Sequence, residues 1–164
     1  MIRELWKKLN AILRQASTGN GKPQILDPAE ILGTGYRDMR RLAEQITAHA
    51  ERAPYPHVAE RLRQIAFEKQ RCATILKEKI LGLGRELEES QLGLKSGKNH
   101  WERMVQDLED QKSLEMFFSE QAVRLVDEAA EIADLLKKVV AEQLPHKETL
   151  LDLVMRADPQ AEQN

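Results

Sequence analysis

Two segments carry side chains whose types and spacing could do chemistry. In Ile65-Ala66-Phe67-Glu68-Lys69-Gln70-Arg71-Cys72-Ala73 an apolar stripe is broken at Lys69 and Cys72, and in Val139-Val140-Ala141-Glu142-Gln143-Leu144-Pro145-His146 a second stripe is broken at Gln143 and His146. Side chains three apart on a helix share a face, so each pair can reach one point in the interior, and a pair of that spacing can hold a metal ion between two ligands. Cys72 and His146 are of ligand type. Lys69 instead brings a cation to the place where a metal would sit. Elsewhere the chain offers no nucleophile beside a base, no glycine loop for phosphate and no paired cysteine motif, which leans against an enzyme and leaves the question open.

The elements that must position these residues are helices. Of 164 residues, 41% are hydrophobic, 32% charged and only 4% aromatic, and Ala, Leu, Glu, Lys, Gln and Arg predominate, the types that lose least freedom in a helix. Asp27-Pro28-Ala29-Glu30 reads as a capped helix start. A first bundle helix is expected from there, or re-initiated near Thr34 because Gly33 and Gly35 weaken it, to about Arg52. Pro54 and Pro56 force a short turn into a second helix that ends at Gly82 and Gly84, and two helices joined so closely lie antiparallel. Residues 85 to 98 read as a connection. A third helix is expected from about Asn99 to Val126, and a fourth from about Glu128 to Arg156. About 15 residues at roughly 3.3 Å each reach some 50 Å, enough to run the length of a helix of about 26 residues and allow a parallel crossover.

The stripe of the second helix, Val58, Leu62, Ile65, Lys69, Cys72, Leu76 and Ile80, matches that of the fourth at a constant offset of 74 residues, with identities at Ala59/Ala133, Leu62/Leu136, Glu68/Glu142 and Leu76/Leu150. Both stripes are broken at the same two places. A bundle with one long central crossover and two inward pairs at this spacing resembles the ferritin-like and rubrerythrin-like superfamily, whose members bind two irons with Glu-x-x-His twice and a carboxylate from each remaining helix. The resemblance covers about residues 28 to 156. It implies an all-α, ferritin-like antiparallel four-helix bundle and a degenerate metal site, with Lys69 in place of Glu, Cys72 in place of His, Gln143 in place of Glu and His146 retained. Reflection of Gln143 about the turn near Asp127 reaches Gln111, one turn before Glu115, which is the plausible surviving carboxylate, with Asp110 and Asp107 as alternatives in register. The inner stripe of the first helix, Leu32, Tyr36, Met39, Ala43, Ile46 and Ala50, carries no carboxylate, and Glu44 lies a face away. The expected interior is a Lys69 ammonium paired with Glu115 and hydrogen-bonded by Gln143, with His146 near and no cofactor. On the alternative reading, Glu44, Cys72, Glu115 and His146 bind iron or zinc in an iron-storing or peroxide-reducing protein.

The expected organisation is an N-terminal helix and linker over residues 1–26, the bundle over 27–157 and a polar tail over 158–164. In the first segment Leu5, Trp6, Leu9 and Leu13 share an apolar face opposite basic residues, suited to the bundle, a protein partner or, as a peripheral adaptor, an anionic membrane surface. A net charge of -2 with interspersed signs lacks the basic footprint that nucleic acid requires. With no apolar run long enough to span a bilayer and a single Cys72, the chain is expected to be cytoplasmic. Apolar side chains on the third helix suggest a homodimer. His49, His57 and His100, near helix ends, are expected in solvent.

Overall fold

The computed structural model describes residues 26–89 and 91–160. Four helices make up the fold: α1 (Pro28–Glu51), α2 (Pro56–Gly82), α3 (His100–Leu125) and α4 (Ala130–Arg156). α1 starts as its sequence dictates. Asp27 accepts from the Ala29 amide at 3.4 Å and Glu30 reaches back to the Asp27 amide at 3.3 Å, with Pro28 in the first turn, where no hydrogen bond is lost. Asn99 caps α3 by accepting from the Glu102 amide at 2.8 Å. α2 ends in a turn whose Gly84 has φ of 74°, a conformation that costs glycine nothing.

α1 runs unbroken through Gly33 and Gly35, and the re-initiation near Thr34 does not occur. Gly35 is there for packing. A Cβ on it would sit 2.5 Å from the edge of the Phe118 ring of α3, whereas a Cβ on Gly33 would meet nothing within 4 Å. α4 likewise continues through Pro145.

Directions follow from the cross-helix contacts. Between α1 and α3, Arg41 meets Asp110 at 3.4 Å, His49 meets Asp107 at 2.7 Å and Arg103 donates to the Arg52 carbonyl at 3.4 Å, so one number rises as the other falls. Between α2 and α4, Arg61 meets Asp152 at 2.8 Å and Lys79 meets Glu131. Both pairs are antiparallel, as are α1 and α2 across the turn at 52–55. α2 and α3 must then run parallel, and the connection from 83 to 99 crosses the length of the bundle, as expected for the ferritin-like arrangement. Glu89 pins the crossover, taking hydrogen bonds from Tyr36 at 3.3 Å, Arg40 at 3.0 Å and Lys77 at 3.4 Å.

The core is one cluster drawn from all four helices, with Leu32, Met39, Ile46, Leu62, Leu76, Met104, Phe118, Leu136 and Leu150 at its centre. α1 packs closely on α2 and α3 on α4, while α2 and α4 are the most loosely packed of the neighbouring pairs. Longer side chains bridge that last gap, which is where Lys69 and Gln143 lie. Among the described residues no helix is long and apolar enough to cross a membrane.

Candidate functional site

Lys69 lies in the stripe of α2 between Ile65 and Cys72, and its side chain is fully buried, as is that of Gln143. Its Nζ donates to Gln111 Oε1 of α3, to Gln143 Oε1 of α4 at 2.5 Å and to His146 Nδ1 at 3.2 Å. An ammonium has three hydrogens and no acceptor, and here it meets three acceptors. Accepting at Nδ1 places the imidazole proton on Nε2, which faces Glu68 Oε2 at 2.6 Å. Glu68, at the edge of the bundle, is held below the usual carboxylate range by hydrogen bonds from Gln64 and His146. Burial pushes the Lys69 amine down to about 7, against the pull of the Glu115, Asp107 and Glu68 carboxylates. Burial also lowers His146, and the Lys69 charge lowers it further. Gln111 Nε2 donates to the Gln143 carbonyl at 3.4 Å, and Gln143 Nε2 is buried with no acceptor.

Of the residues singled out from sequence, Lys69, Gln143 and His146 converge. Cys72 is buried in the same stripe, with its thiol pushed up to about 11 by desolvation, so it stays protonated and packs as an apolar group. Glu115 does not pair with Lys69. It turns to Lys147 of α4 at 3.0 Å, and the neutral Gln111, one turn away, takes its place at the ammonium. Glu44 lies on the outer side of α1, paired with Arg40 at 3.3 Å and 39% exposed, away from the other three residues of the iron or zinc set. Leu5, Trp6, Leu9 and Leu13 fall outside the described residues.

A second buried polar cluster joins α1, α3 and the crossover. Asp107, fully buried, accepts from Gln45 Nε2 at 2.8 Å and meets His49 Nδ1 at 2.7 Å. The Gln45 amide is saturated: Nε2 also reaches Asp110 at 3.0 Å, and Oε1 accepts from Arg41 at 3.2 Å and from the Lys95 amide at 3.0 Å. Lys95 Nζ closes over Asp110 at 2.8 Å. Desolvation raises the Asp107 pKa, opposed by the hydrogen bond from His49. His49 and His100, expected in solvent, are 3% and 8% exposed, because the crossover and the α1–α3 seam cover them; His57 is exposed as expected. The sequence carried one signal for this cluster, Gln45 and His49 spaced four apart beside the apolar stripe of α1.

Among the described residues no group of three or more His, Cys, Asp or Glu side chains is placed to hold a metal ion. Both ring nitrogens of His146 are committed, one to an ammonium, and the acceptors around Lys69 are amides and an imidazole.

Topology, crossover and core together define the ferritin-like fold. The chain is similar to BfrA from M. tuberculosis, at 21% identity and a TM-score of 0.73, covering 88% of this chain and 91% of that one. It is also similar to a mycobacterial bacterioferritin, at 22% identity and a TM-score of 0.71 over 82% and 84% of the two chains. Identity at this level establishes a shared fold. No protein-family model matches the sequence, and no curated protein matches it.

Proposed function

We propose that this chain is a non-catalytic ferritin-like module whose interior metal site has been replaced by a lysine, and which works in the cytoplasm through protein contacts, as a homodimer. The observation that carries this reading is the Lys69 amine, buried at the position that resembles the family's ligand position and bonded to Gln111, Gln143 and His146. A pair of carboxylate-bridged irons needs anionic oxygen ligands facing inward. Here the two positions matching the family's glutamates are a cation and a neutral amide, and Glu115 and Glu44 are each engaged by a cation of their own helix pair or turn. A cation at the centre repels a second one at the distances that ligation requires. The residues present therefore do not suit the di-iron group.

The test is elemental analysis of protein purified from iron-rich and from zinc-rich media, beside assays of ferrous oxidation and peroxide consumption. Metal well below one equivalent and rates equal to buffer are expected; two irons per chain would refute the reading. The second reading, an iron-binding protein, draws on the likeness to a structure described as a bacterioferritin. It requires Lys69 to leave the interior and Glu115 to leave Lys147, so the same elemental analysis separates the two.

A further inference from the structure

A groove of about 500 Å³ runs along the outer seam of α3 and α4. Leu108, Met116 and Leu151 line it with apolar surface, and Met116 and Leu151 are 51% and 46% exposed. Glu115 and Lys147 also line it and are already paired with each other at 3.0 Å. The two remaining charges are of opposite sign and come from opposite helices: Lys112 from α3 and Glu148 from α4. Neither has an ion-pair partner among the described residues.

We propose that this groove is the face on which two copies of the chain pair about a two-fold axis, with Lys112 of each copy facing Glu148 of the partner subunit. The proposal rests on the self-association reading above and names its surface. In a two-fold interface a residue i that meets j is repeated as j meeting i, so the face must be complementary to itself. One unpaired cation on one helix and one unpaired anion on the other, beside apolar side chains, meet that condition. A strongly acidic or basic partner helix would be attracted by one wall and repelled by the other. The apolar side chains supply surface whose removal from water drives association, and methionine adapts to whatever packs on it.

The test uses the full chain and reads mass by light scattering across a concentration series for the wild type, Lys112→Glu, Glu148→Lys and an equimolar mixture of the two variants. Both positions are exposed, so circular dichroism is expected to show unchanged folding. The wild type is expected to be a dimer. Each variant alone places like charges opposite each other twice, and its dimer should dissociate about tenfold more readily or worse. The mixture should recover wild-type association, because every changed charge then faces its opposite across the interface. Met116→Lys, on the exposed apolar lining of the groove, should also dissociate the dimer. A wild-type dimer indifferent to all three substitutions, or a mixture no better than its components, overturns this assignment while leaving self-association standing. A wild type that stays monomeric overturns both.

Discussion

Lys69→Met keeps most of the side-chain volume and removes the amine, and its effect on stability should depend on pH in a way that no surface lysine would produce. Burial takes the Lys69 amine from its ordinary 10.5 to about 7 in the folded chain. Between those values the unfolded state holds a proton that the folded state has shed, so wild-type stability rises with pH across that window, by up to about 1.4 kcal/mol per unit. The usable window is pH 7 to 9. Below it His146 titrates; above it Cys72, whose thiol is raised from 9.0 to about 11, contributes stability that is lost with increasing pH. Two units then give about 3 kcal/mol, an upper limit because the three acceptors around Nζ favour the charged form and work against burial. The methionine variant has no such gain. Urea unfolding of both proteins at pH 7, 8 and 9 should therefore show the variant falling progressively further behind the wild type, by up to about 3 kcal/mol at pH 9 relative to pH 7. Two stability curves that stay parallel over those pH values would mean that the amine reaches water, and the account of the interior would be wrong.

Gly33→Ala should stabilise the chain by about 0.5–1 kcal/mol, since helix propensity improves and the new Cβ meets nothing, while Gly35→Ala, pressed on the buried Phe118 ring, should destabilise it by about 1–2 kcal/mol net; thermal melts check both. Asp107→Ala strands the His49 Nδ1 in the interior and takes one of the two acceptors of Gln45 Nε2, and should cost about 2–4 kcal/mol by chemical denaturation, with earlier proteolysis in the crossover that Gln45 holds at Lys95. Glu115→Gln should cost less than about 1 kcal/mol, because it breaks only a partly exposed pair with Lys147, whereas a loss of several kcal/mol would restore Glu115 as the partner of Lys69.

The features legible from sequence are those set by local periodicity and by backbone chemistry. The prolines at 54 and 56, the capping box at Asp27 and the glycines after Leu81 fix where helices start and stop, and the length of the connection allows the parallel crossover. Lys69 and His146 stood out because a polar residue in an apolar stripe is visible within one helix. Gln45 and His49 did not, because their burial depends on Asp107 and on a crossover strand whose course no single helix reveals. The exchange of Gln111 for Glu115 has the same origin. The two residues are one turn apart on nearly the same face of α3, and the choice between them depends on how far α3 is rotated against α4; the rotation found takes Glu115 to Lys147 and leaves Gln111 at the amine. Gly35 was misjudged for a related reason: its propensity argues against a helix, and a ring from another helix overrides it.

The two polar clusters also account for why these helices hold one register. A stripe of leucine, isoleucine and alanine packs nearly as well after a slip of one helical turn, because the types recur at that spacing. The amine of Lys69 does not tolerate such a slip. Sliding α4 by four residues would bring either Val139 or Lys147 to the place of Gln143, so the amine loses that acceptor in the first case and faces a second cation in the other. Either outcome costs more than the apolar contacts distinguish. Along α1, a slip against α3 would take Gln45 and His49 off the two oxygens of Asp107. Asp107 and Gln111 sit one turn apart on α3, so this one helix receives the constraint from α1 on one side and from α2 and α4 on the other. The buried cation need not add net stability to be kept, since its desolvation offsets much of what its hydrogen bonds contribute. Its effect is to make every other alignment worse.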